Sequence, residues 1–282
     1  MTEHVWQPEI EAIEERRRAA AEMGGAERVA RQHEFGKLTI RERFDTFADR
    51  GTFAEVGVAA GAAEYDTDGN LVGFMPSNFL VGTAEVDGRP VVLSGDDFTV
   101  RGGSSELSIP AKRDFSEGMA LELGLPHIRL VDGMGGGGSV RSMEKAGKPL
   151  IPEVKGFDLV AAHLATAPSV SLALGSVAGI GAARVALSHY SVIVADTAQM
   201  MIAGPALVEQ AGQPEVTKED LGHARVHTSN GAIDDLAASE AEAFAMAKRF
   251  LSYLPRNIHH SPPRVESDDP VDRRDDGLAS LV

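Results

Sequence analysis

A glycine-rich segment that follows an apolar run is the feature that most limits how this chain can fold. Residues 126–142 read PHIRLVDGMGGGGSVRS, in which five glycines are interrupted only by Met134. Glycine has no side chain and adopts backbone conformations closed to other residues, so its N–H groups can approach a ligand closely. A row of such groups can hold a phosphate or a developing oxyanion. The segment therefore predicts an anion site built from backbone at the end of a buried strand.

Composition narrows the possible functions. The chain has 282 residues, of which 43% are hydrophobic, so it can bury the core of one large domain or two small ones. It contains no cysteine, which excludes disulfides, thiolate zinc sites and cysteine nucleophiles. Its net charge of −15 argues against a general nucleic-acid binder. The absence of a long apolar run, together with a charged N-terminus, predicts a cytoplasmic protein.

Two helices and a hairpin have clear local signals near the N-terminus. Glu9 to Met23 follows Pro8 and precedes two glycines, and its few apolar positions suggest an arm packed on a partner or on the body of the fold. A second helix is predicted from Thr39 to Ala48, with Thr39 as N-cap and Glu42 completing a capping box. Residues 78–86 and 89–94 flank Asp87-Gly88, which predicts a type I′ hairpin.

Extended and helical segments alternate after this hairpin, which indicates an α/β fold. The predicted strands are Ile128–Val131, Val170–Leu174 and Val192–Ala195. The predicted helices are Glu106–Leu123, Glu153–Ala165 and an Ala-rich helix over Asp235–Leu251 that ends before Pro255. Residues from His259 onward hold three prolines and many charges but few apolar residues, which is typical of a linker.

The first glycine cluster has a second interpretation, a dinucleotide-binding loop. Gly133, Gly135 and Gly138 spell G-x-G-x-x-G after a strand, and Glu153 follows Gly133 at the distance of a ribose-binding acid. The fingerprint must open a helix, however, and residues 139–150 contain Gly147 and Pro149 without a helical apolar stripe. The nucleotide loop therefore stands as an alternative to the oxyanion loop.

A second glycine cluster, GSVAGIGAA at 175–183, follows the apolar strand SVSLAL and leads towards a helix. The unpaired N–H groups and positive dipole end of a helix N-terminus favour negative charge, so this turn is a second candidate for the anion site. The alternative is that small residues here only permit close packing of a helix on a strand.

The side chains give no sequence pattern for acid–base, nucleophilic or metal chemistry. The nine histidines are scattered, and His163 is interpreted as a surface or satisfied core residue on a helix. No H-E-x-x-H spacing occurs, and no metal is predicted. Ser139 and Ser176 lack the G-x-S-x-G frame of a hydrolase.

Several long segments together resemble the carboxyltransferase (β) subunit of acyl-CoA carboxylases, of the propionyl-CoA and methylcrotonyl-CoA kind. They are GKLTIRERFDTFADRGTFAEVG, DDFTVRGGS, LVDGMGGGG, LGSVAGIGAARVALS, QMMIAGPALVEQAGQPEVTKEDLG, RFLSYLP and PVDRRDDGL. The resemblance implies a crotonase-like ββα spiral and covers only the N-terminal, acyl-CoA-binding half of that subunit. It divides the chain into a helical arm (1–35), a carboxyltransferase domain (36–258) and a linker-like tail (259–282).

The resemblance also implies a mechanism and site residues. Carboxybiotin on a carrier protein delivers the carboxyl group, and the biotin ureido anion takes the α-proton of an acyl-CoA, so the protein stabilises an enolate. The implied partners are a separate C-terminal half, a biotin carboxyl carrier and a biotin carboxylase, within a homo- or hetero-oligomer. The implied oxyanion donors are Gly135 and Gly136. Gly179 and Gly181 would form the pocket floor, Gly102 and Gly103 would lie near the acyl chain, and Arg41, Lys112 and Arg113 would meet the CoA phosphates.

The glycine loops depart from the family pattern. The family usually has D-S-G-G-A-R-I where this chain has residues 132–138, DGMGGGG, and Ile180 and Gly181 replace a glycine and often a histidine. Two further interpretations follow. One is a crotonase-like acyl-CoA decarboxylase or hydrolase that needs no biotin, and the other is a non-catalytic assembly or regulatory subunit.

Overall fold

A computed structural model of the chain describes residues 5–104, 110–133, 147, 156–212, 215–262 and 264–281. Eleven strands are found in this part of the chain. They are β1 Ala54–Glu55, β2 Gly61–Tyr65, β3 Leu71–Pro76, β4 Phe79–Val86, β5 Arg89–Asp96, β6 His127–Val131, β7 Ser169–Ala173, β8 Ser176–Ala178, β9 Tyr190–Val194, β10 Gln199–Met201 and β11 Asp235–Ala237.

Helices cover the strands and connect most of them. They are α1 Gln7–Ala21, α2 Ala26–Glu34, α3 Ile40–Phe47, α4 Pro110–Leu123, α5 Phe157–Leu164, α6 Ile180–Ala186, α7 Pro205–Gln210, α8 Lys218–Gly222, α9 Ala224–Ser229 and α10 Glu240–Ser252. Two short 3-10 turns, Arg101–Gly103 and Asp276–Ser280, complete the described elements.

A seven-stranded sheet with the order β1-β4-β5-β6-β7-β9-β11 forms the centre of the fold. Strands β1, β4 and β5 pair antiparallel with their neighbours in this order. Strands β5, β6, β7, β9 and β11 pair parallel. Asp87 and Gly88 join β4 to β5 with positive φ angles of 50° and 72°, which confirms the predicted hairpin. A parallel β8–β10 pair and an antiparallel β2–β3 pair form two small separate sheets.

One face of the large sheet carries the apolar core. Leu93, Ile128 and Leu172 point to this face, where α3 and α10 contribute to the same buried cluster. The rings of Phe47 on α3 and Phe244 on α10 meet edge to face at 5.4 Å. Helix α3 begins after Thr39 with the predicted capping box to Glu42, so a local signal fixes where a core helix begins.

The opposite face of the sheet is also buried, and it carries polar side chains beside a small apolar cluster of Phe79, Val81, Val92, Ala120 and Leu125. The register places Ser94, Arg129 and Ser171 side by side on β5, β6 and β7, and His127 lies opposite Ser169. All five side chains are buried beneath neighbouring helices. Helix α4 contacts β4 and β5, and α6 contacts β6 and β7. The alternating sequences HIRLV and SVSLA therefore direct apolar side chains to one face of β6 and β7 and polar side chains to the other.

The prediction of one helix over Asp235–Leu251 is wrong at its start. Asp235–Ala237 forms β11, which pairs parallel with β9, and Ser239 then caps α10. Pairing with a distant strand decides the conformation here, so a local helix propensity does not determine it. The helix prediction for Glu106–Leu123 is confirmed from residue 110, and that for Glu153–Ala165 is confirmed over α5. Residues 105–109 and 148–155 lie outside the described part of the chain.

The predicted N-terminal helix forms as α1 and contacts β3 of the small hairpin. Ile10 and Ile13 on this helix, and Trp6 just before it, are nonetheless exposed. Among the helices that the structure describes, no helix combines the length and apolarity needed to cross a bilayer.

The close approach of β1 to β4 depends on Gly82. A Cβ added at Gly82 would overlap the Ala54 carbonyl oxygen and would lie 2.8 Å from the Phe53 ring. We therefore expect Gly82→Ala to lower the free energy of unfolding by about 1–3 kcal/mol in urea titrations. Gly73→Ala is the matched control because its Cβ would meet only the Glu64 side chain, at 3.4 Å. Equal stability losses in the two variants would contradict this account of the β1–β4 contact.

Candidate active site

The loops after β5, β6 and β7 converge at the carboxyl ends of these strands. Gly103, after β5, lies so close to Gly133, after β6, that a Cβ on Gly103 would be 2.9 Å from the Gly133 Cα. A Cβ on Gly175, after β7, would overlap an oxygen of the Asp132 carboxylate. Open parallel sheets bind ligands at this edge. The sequence therefore brings three loops together by placing glycine where the backbones meet.

A buried cluster of charges fixes the residue that precedes the first glycine loop. The Asp132 carboxylate accepts hydrogen bonds from Lys37 Nζ at 3.0 Å and from Gln32 Nε2 at 3.1 Å, and lies 2.9 Å from Arg43 Nη2. Arg43 also donates to both oxygens of Glu240, at 3.0 and 2.6 Å. Burial alone would raise the pKa of Asp132, but the charges of Arg43 and Lys37 lower it below its ordinary value.

Of the four glycines predicted at the centre of the site, only Gly179 and Gly181 lie within the described residues. Gly135 and Gly136 lie outside them, although Asp132 and Gly133 at the start of their loop lie inside. Gly179 has φ 61° and precedes α6, and its N–H donates to the Met201 carbonyl at 3.0 Å. Gly181 is buried as the second residue of α6. Gly179 thus shapes the turn with its backbone conformation while its own N–H is occupied.

Gly102 and Gly103, predicted to lie near the acyl chain, form the 3-10 turn after β5. Their φ angles are 65° and 63°, a region that favours glycine. Arg113 Nη2 donates to the Gly103 carbonyl at 3.2 Å and pairs with Asp96 at 2.7 Å. Arg113, one of the predicted basic residues, therefore holds the predicted glycine turn in place. The Arg113–Asp96 ion pair is buried.

Arg41 and Lys112 are brought together by a shared carboxylate. Arg41 Nη1 lies 2.9 Å from Glu55, and Lys112 Nζ lies 3.9 Å from the same residue and 3.2 Å from the Gly57 carbonyl. Burial and the nearby charge of Arg41 lower the pKa of Lys112. Two cations and one carboxylate leave a local excess of positive charge, although the net charge of the whole chain is strongly negative.

Sequence reasoning missed a buried histidine network on the polar face of the sheet. Ser94 Oγ lies 2.9 Å from His127 Nε2, and Glu117 Oε2 lies 3.1 Å from His127 Nδ1. Arg129 binds the two Glu117 oxygens at 2.9 and 2.7 Å. Ser94, His127 and Glu117 are at most 2% exposed, so this serine–histidine–carboxylate arrangement is shielded from substrates. The alternation in HIRLV places His127 and Arg129 on one face, but it does not show that this face is buried.

Burial lowers the pKa of His127 to about 4, against the opposing attraction of Glu117. This histidine is therefore neutral at physiological pH. His163, the other histidine singled out from the sequence, is also buried and hydrogen bonds to the Leu125 carbonyl at 2.9 Å. His163 is therefore a core residue, although its Nδ1 has no hydrogen-bond partner in the described part of the chain.

Removing the Asp132 charge should destabilise the fold strongly. Asp132→Asn leaves Lys37 and Arg43 buried without their shared anion, so we expect a loss of about 3–5 kcal/mol in the free energy of unfolding. Asp45→Asn on the exposed side of α3 is the control and should change stability little. Chemical denaturation of the two variants measures the difference. Similar stabilities would show that the Asp132 cluster contributes no net stability.

The neutral state of His127 predicts a pH dependence of stability. The unfolded chain binds a proton at this histidine near its ordinary pKa of 6.5, whereas the folded chain does so only near 4. The free energy of unfolding should therefore fall as the pH drops from 6.5 to 4, by on the order of 3 kcal/mol from this group. Carboxyls with lowered pKa, Glu117 and Asp132, add losses only at lower pH, below their ordinary values of 4.5 and 3.8.

His127→Gln should remove that part of the pH dependence while keeping polar contacts in the layer. Urea titrations of both proteins at several pH values between 4 and 7 measure the slope. Superimposable slopes would contradict a neutral, buried His127.

Comparisons with known proteins agree with this architecture. Residues 31–282 match the carboxyl transferase domain family. The carboxyltransferase subunit of propionyl-CoA carboxylase from Haloferax mediterranei is 33% identical over 97% of this chain and 52% of its own length. The methylmalonyl-CoA decarboxylase subunit alpha of Veillonella parvula is 30% identical over 98% of this chain and 53% of its own length. The chain spans about half the length of the curated relatives that it matches.

Solved structures show the same relation. A transcarboxylase 12S structure with methylmalonyl-coenzyme A and methylmalonic acid bound superposes with a TM-score of 0.76 and 26% identity, covering 97% of this chain and 52% of that one. A single-chain, multi-domain long-chain acyl-CoA carboxylase gives a TM-score of 0.72 at 25% identity. The match covers 87% of this chain and 25% of that one. The predicted crotonase-like fold is thereby confirmed. The family match covers most of the chain, and the solved structures share its fold. The chain therefore belongs to the carboxyl transferase domain family.

Proposed function

We propose that this chain is the acyl-CoA-binding half of a biotin-dependent carboxyltransferase. The observation that carries the proposal is the family match over residues 31–282 together with the convergence of three glycine loops at one edge of the sheet. Its reaction is the transfer of a carboxyl group from carboxybiotin to the α-carbon of an acyl-CoA. Related proteins are named propionyl-CoA carboxylase subunits, so a short acyl-CoA is the substrate class to test first.

The role of the protein in this reaction is to stabilise the enolate of the acyl-CoA. Backbone N–H groups of Gly135 and Gly136 bind the thioester oxygen as it becomes negative, because fixed donors aimed at developing charge lower the barrier. The buried Asp132 cluster supports this role by holding the residue from which the loop departs. Gly181 contributes to the floor of the pocket, Gly179 sets the turn before it, and Gly102 and Gly103 line the acyl side.

Coenzyme A is bound through its phosphates by the cations beside Glu55. Arg41 retains 28% side-chain exposure and Lys112 lies next to it, so Arg41 makes the direct contact and Lys112 adds charge behind it. Arg113 acts indirectly because it is committed to Asp96 and the Gly103 carbonyl. Biotin, carried on a partner protein, supplies the carboxyl group and the base for the α-proton when it is bound.

The partner proteins follow from the same proposal. A C-terminal carboxyltransferase half faces the glycine loops and receives biotin, and a biotin carboxyl carrier and a biotin carboxylase complete the system. The chain's length relative to its relatives supports a second half on another polypeptide or further along the same one.

A second candidate function is decarboxylation of an acyl-CoA. It is favoured by the 30% identity with a methylmalonyl-CoA decarboxylase subunit over almost the whole chain. The same enolate-stabilising site serves this reaction, since loss of the carboxyl group from a malonyl-type thioester also produces an enolate.

One experiment separates these functions. The chain is incubated with methylmalonyl-CoA in four mixtures, with and without free biotin and with and without a C-terminal carboxyltransferase half from a relative. Propionyl-CoA that forms only when both additions are present supports carboxyltransfer. Turnover by the chain alone without biotin supports decarboxylation. A folded chain that binds no acyl-CoA in calorimetry would overturn both.

The oxyanion role of Gly135 can be tested by removing its N–H. Gly135→Pro should lower kcat in the reconstituted assay by about a hundredfold to a thousandfold because one donor is lost. Gly135→Ala is the control, since it adds a methyl group but keeps the N–H. Thermal unfolding of both variants shows whether the fold is kept. Full activity of a folded Gly135→Pro protein would exclude this donor.

A further inference from the structure

Helix α1 and the residue just before it carry an exposed apolar stripe. Trp6, Ile10 and Ile13 are exposed by 68%, 45% and 46%, respectively. Single exposed apolar residues are ordinary, but several of them along one helix face form a patch of the kind found at interaction sites. We define the α1 stripe as Trp6, Ile10, Ile13 and Arg17. Their spacing of 4, 3 and 4 residues places them within about 60° of one another around the helix.

The inward face of α1 already attaches this helix to its own chain. Helix α1 contacts strand β3. Ala20 is buried, and its carbonyl accepts a hydrogen bond from Arg41 at 3.4 Å. Arg16 donates a hydrogen bond to the hydroxyl of Tyr65 on β2. Because Ile10 and Ile13 remain nearly half exposed with these contacts made, the α1 stripe has apolar surface left to cover.

The spacing of the α1 stripe reads the same in both directions. Ile10 lies four residues after Trp6, and Ile13 lies four residues before Arg17. When two copies of a helix meet antiparallel about a two-fold axis, residue i of one copy contacts residue j of the other, and j contacts i. In this arrangement each Ile10 packs on the Ile13 of the other copy. Trp6 then meets Arg17 at both ends of the contact.

The two ends of the α1 stripe are chemically complementary. Arg17 is exposed and takes part in no ion pair within the described part of the chain. A guanidinium is attracted to the negative face of an indole ring. An antiparallel pair therefore gives each tryptophan a cation and each Arg17 an aromatic partner. A parallel pair would instead place the two Arg17 cations side by side, where they repel one another.

We propose that α1 is a self-association surface, at which two copies of this chain pair antiparallel through the α1 stripe. The occupant is a second copy because this chain carries both halves of the contact. Helix α1 has 15 residues and is about 22 Å long, so the paired surface is smaller than a standard interface. The contact is therefore weak and depends on protein concentration. It is independent of the proposed carboxyltransferase function.

Trp6 is the single tryptophan of the chain and reports this contact directly. Its fluorescence emission should move to shorter wavelength as the concentration of the full chain rises, because the indole leaves water. Sedimentation velocity on the same samples should show the mass double over the same range. Emission and mass that stay constant across the whole micromolar range would overturn the proposal.

Charges placed in the α1 stripe should prevent the association without unfolding the helix. Ile10→Glu and Ile13→Glu change exposed positions, and glutamate favours a helix at least as well as isoleucine. In each variant the mass should stay at the lower value and Trp6 emission at long wavelength. Phe115→Glu on α4 is the matched control because Phe115 is 48% exposed, and it should associate like the wild type. Equal effects of the α1 and α4 changes would overturn the assignment to this surface.

The antiparallel register is tested at Arg17. Arg17→Gln should weaken the association about tenfold, because two cation–π contacts are lost in each pair. Arg17→Lys keeps the positive charge and should weaken it less. An association that depends on Ile10 and Ile13 but not on Arg17 would contradict this register.

A membrane surface is the other occupant that suits an apolar stripe on a helix. Vesicles of phosphatidylcholine, with and without phosphatidylserine, are added to the chain at the lowest concentration of the series. Trp6 emission that neither vesicle changes supports self-association. A shift to shorter wavelength with vesicles, in a chain whose mass does not rise with concentration, would assign the stripe to lipid and overturn the proposal.

Discussion

The buried carboxylate of Asp132 joins parts of the chain that are far apart in sequence. It binds Lys37 and Gln32 from before α3, and Arg43 on α3 extends the cluster to Glu240 on α10. Glu240 lies 197 residues after Arg43, so this interaction closes nearly the whole domain. The cluster sits directly before the first glycine loop and directly against Gly175 of the second. One ionic contact thus couples the packing of the core helices to the spacing of the loops at the proposed site.

Local signals were sufficient where short-range chemistry decides the structure. The capping box of α3 and the Asp87-Gly88 turn were predictable because each depends on a few neighbouring residues. Strand β11 was not predictable in this way. Its three residues precede an Ala-rich helix, and only the parallel pairing with β9, more than 40 residues earlier, makes them extended. The glycine loops could be located from sequence, but their convergence required the sheet order.

The polar layer shows a different limit of sequence reasoning. Alternation in HIRLV and SVSLA is typical of a strand with one face in water, and the sequence does not reveal that α4 and α6 cover that face. Glu117, which binds both His127 and Arg129, lies on a helix where it is one acidic residue among several. Its role depends on tertiary packing. The same packing places Arg184 3.7 Å from Asp114 and 3.8 Å from Glu117, contacts that exist only once the layer is assembled.

Three acids beside the described loops are each held by hydrogen bonds or ion pairs. Asp96 is paired with Arg113, Asp97 accepts from Thr99 at 2.9 and 2.6 Å, and Asp132 is held by Lys37 and Arg43. His127 is neutral but closed off from the loops by its burial on the polar face. None of these groups is free to act as a general base, which must reach the proton that it removes. A hydrolase would need such a group to activate water. The carboxyltransferase proposed here needs only backbone donors at these loops, because its base arrives with biotin.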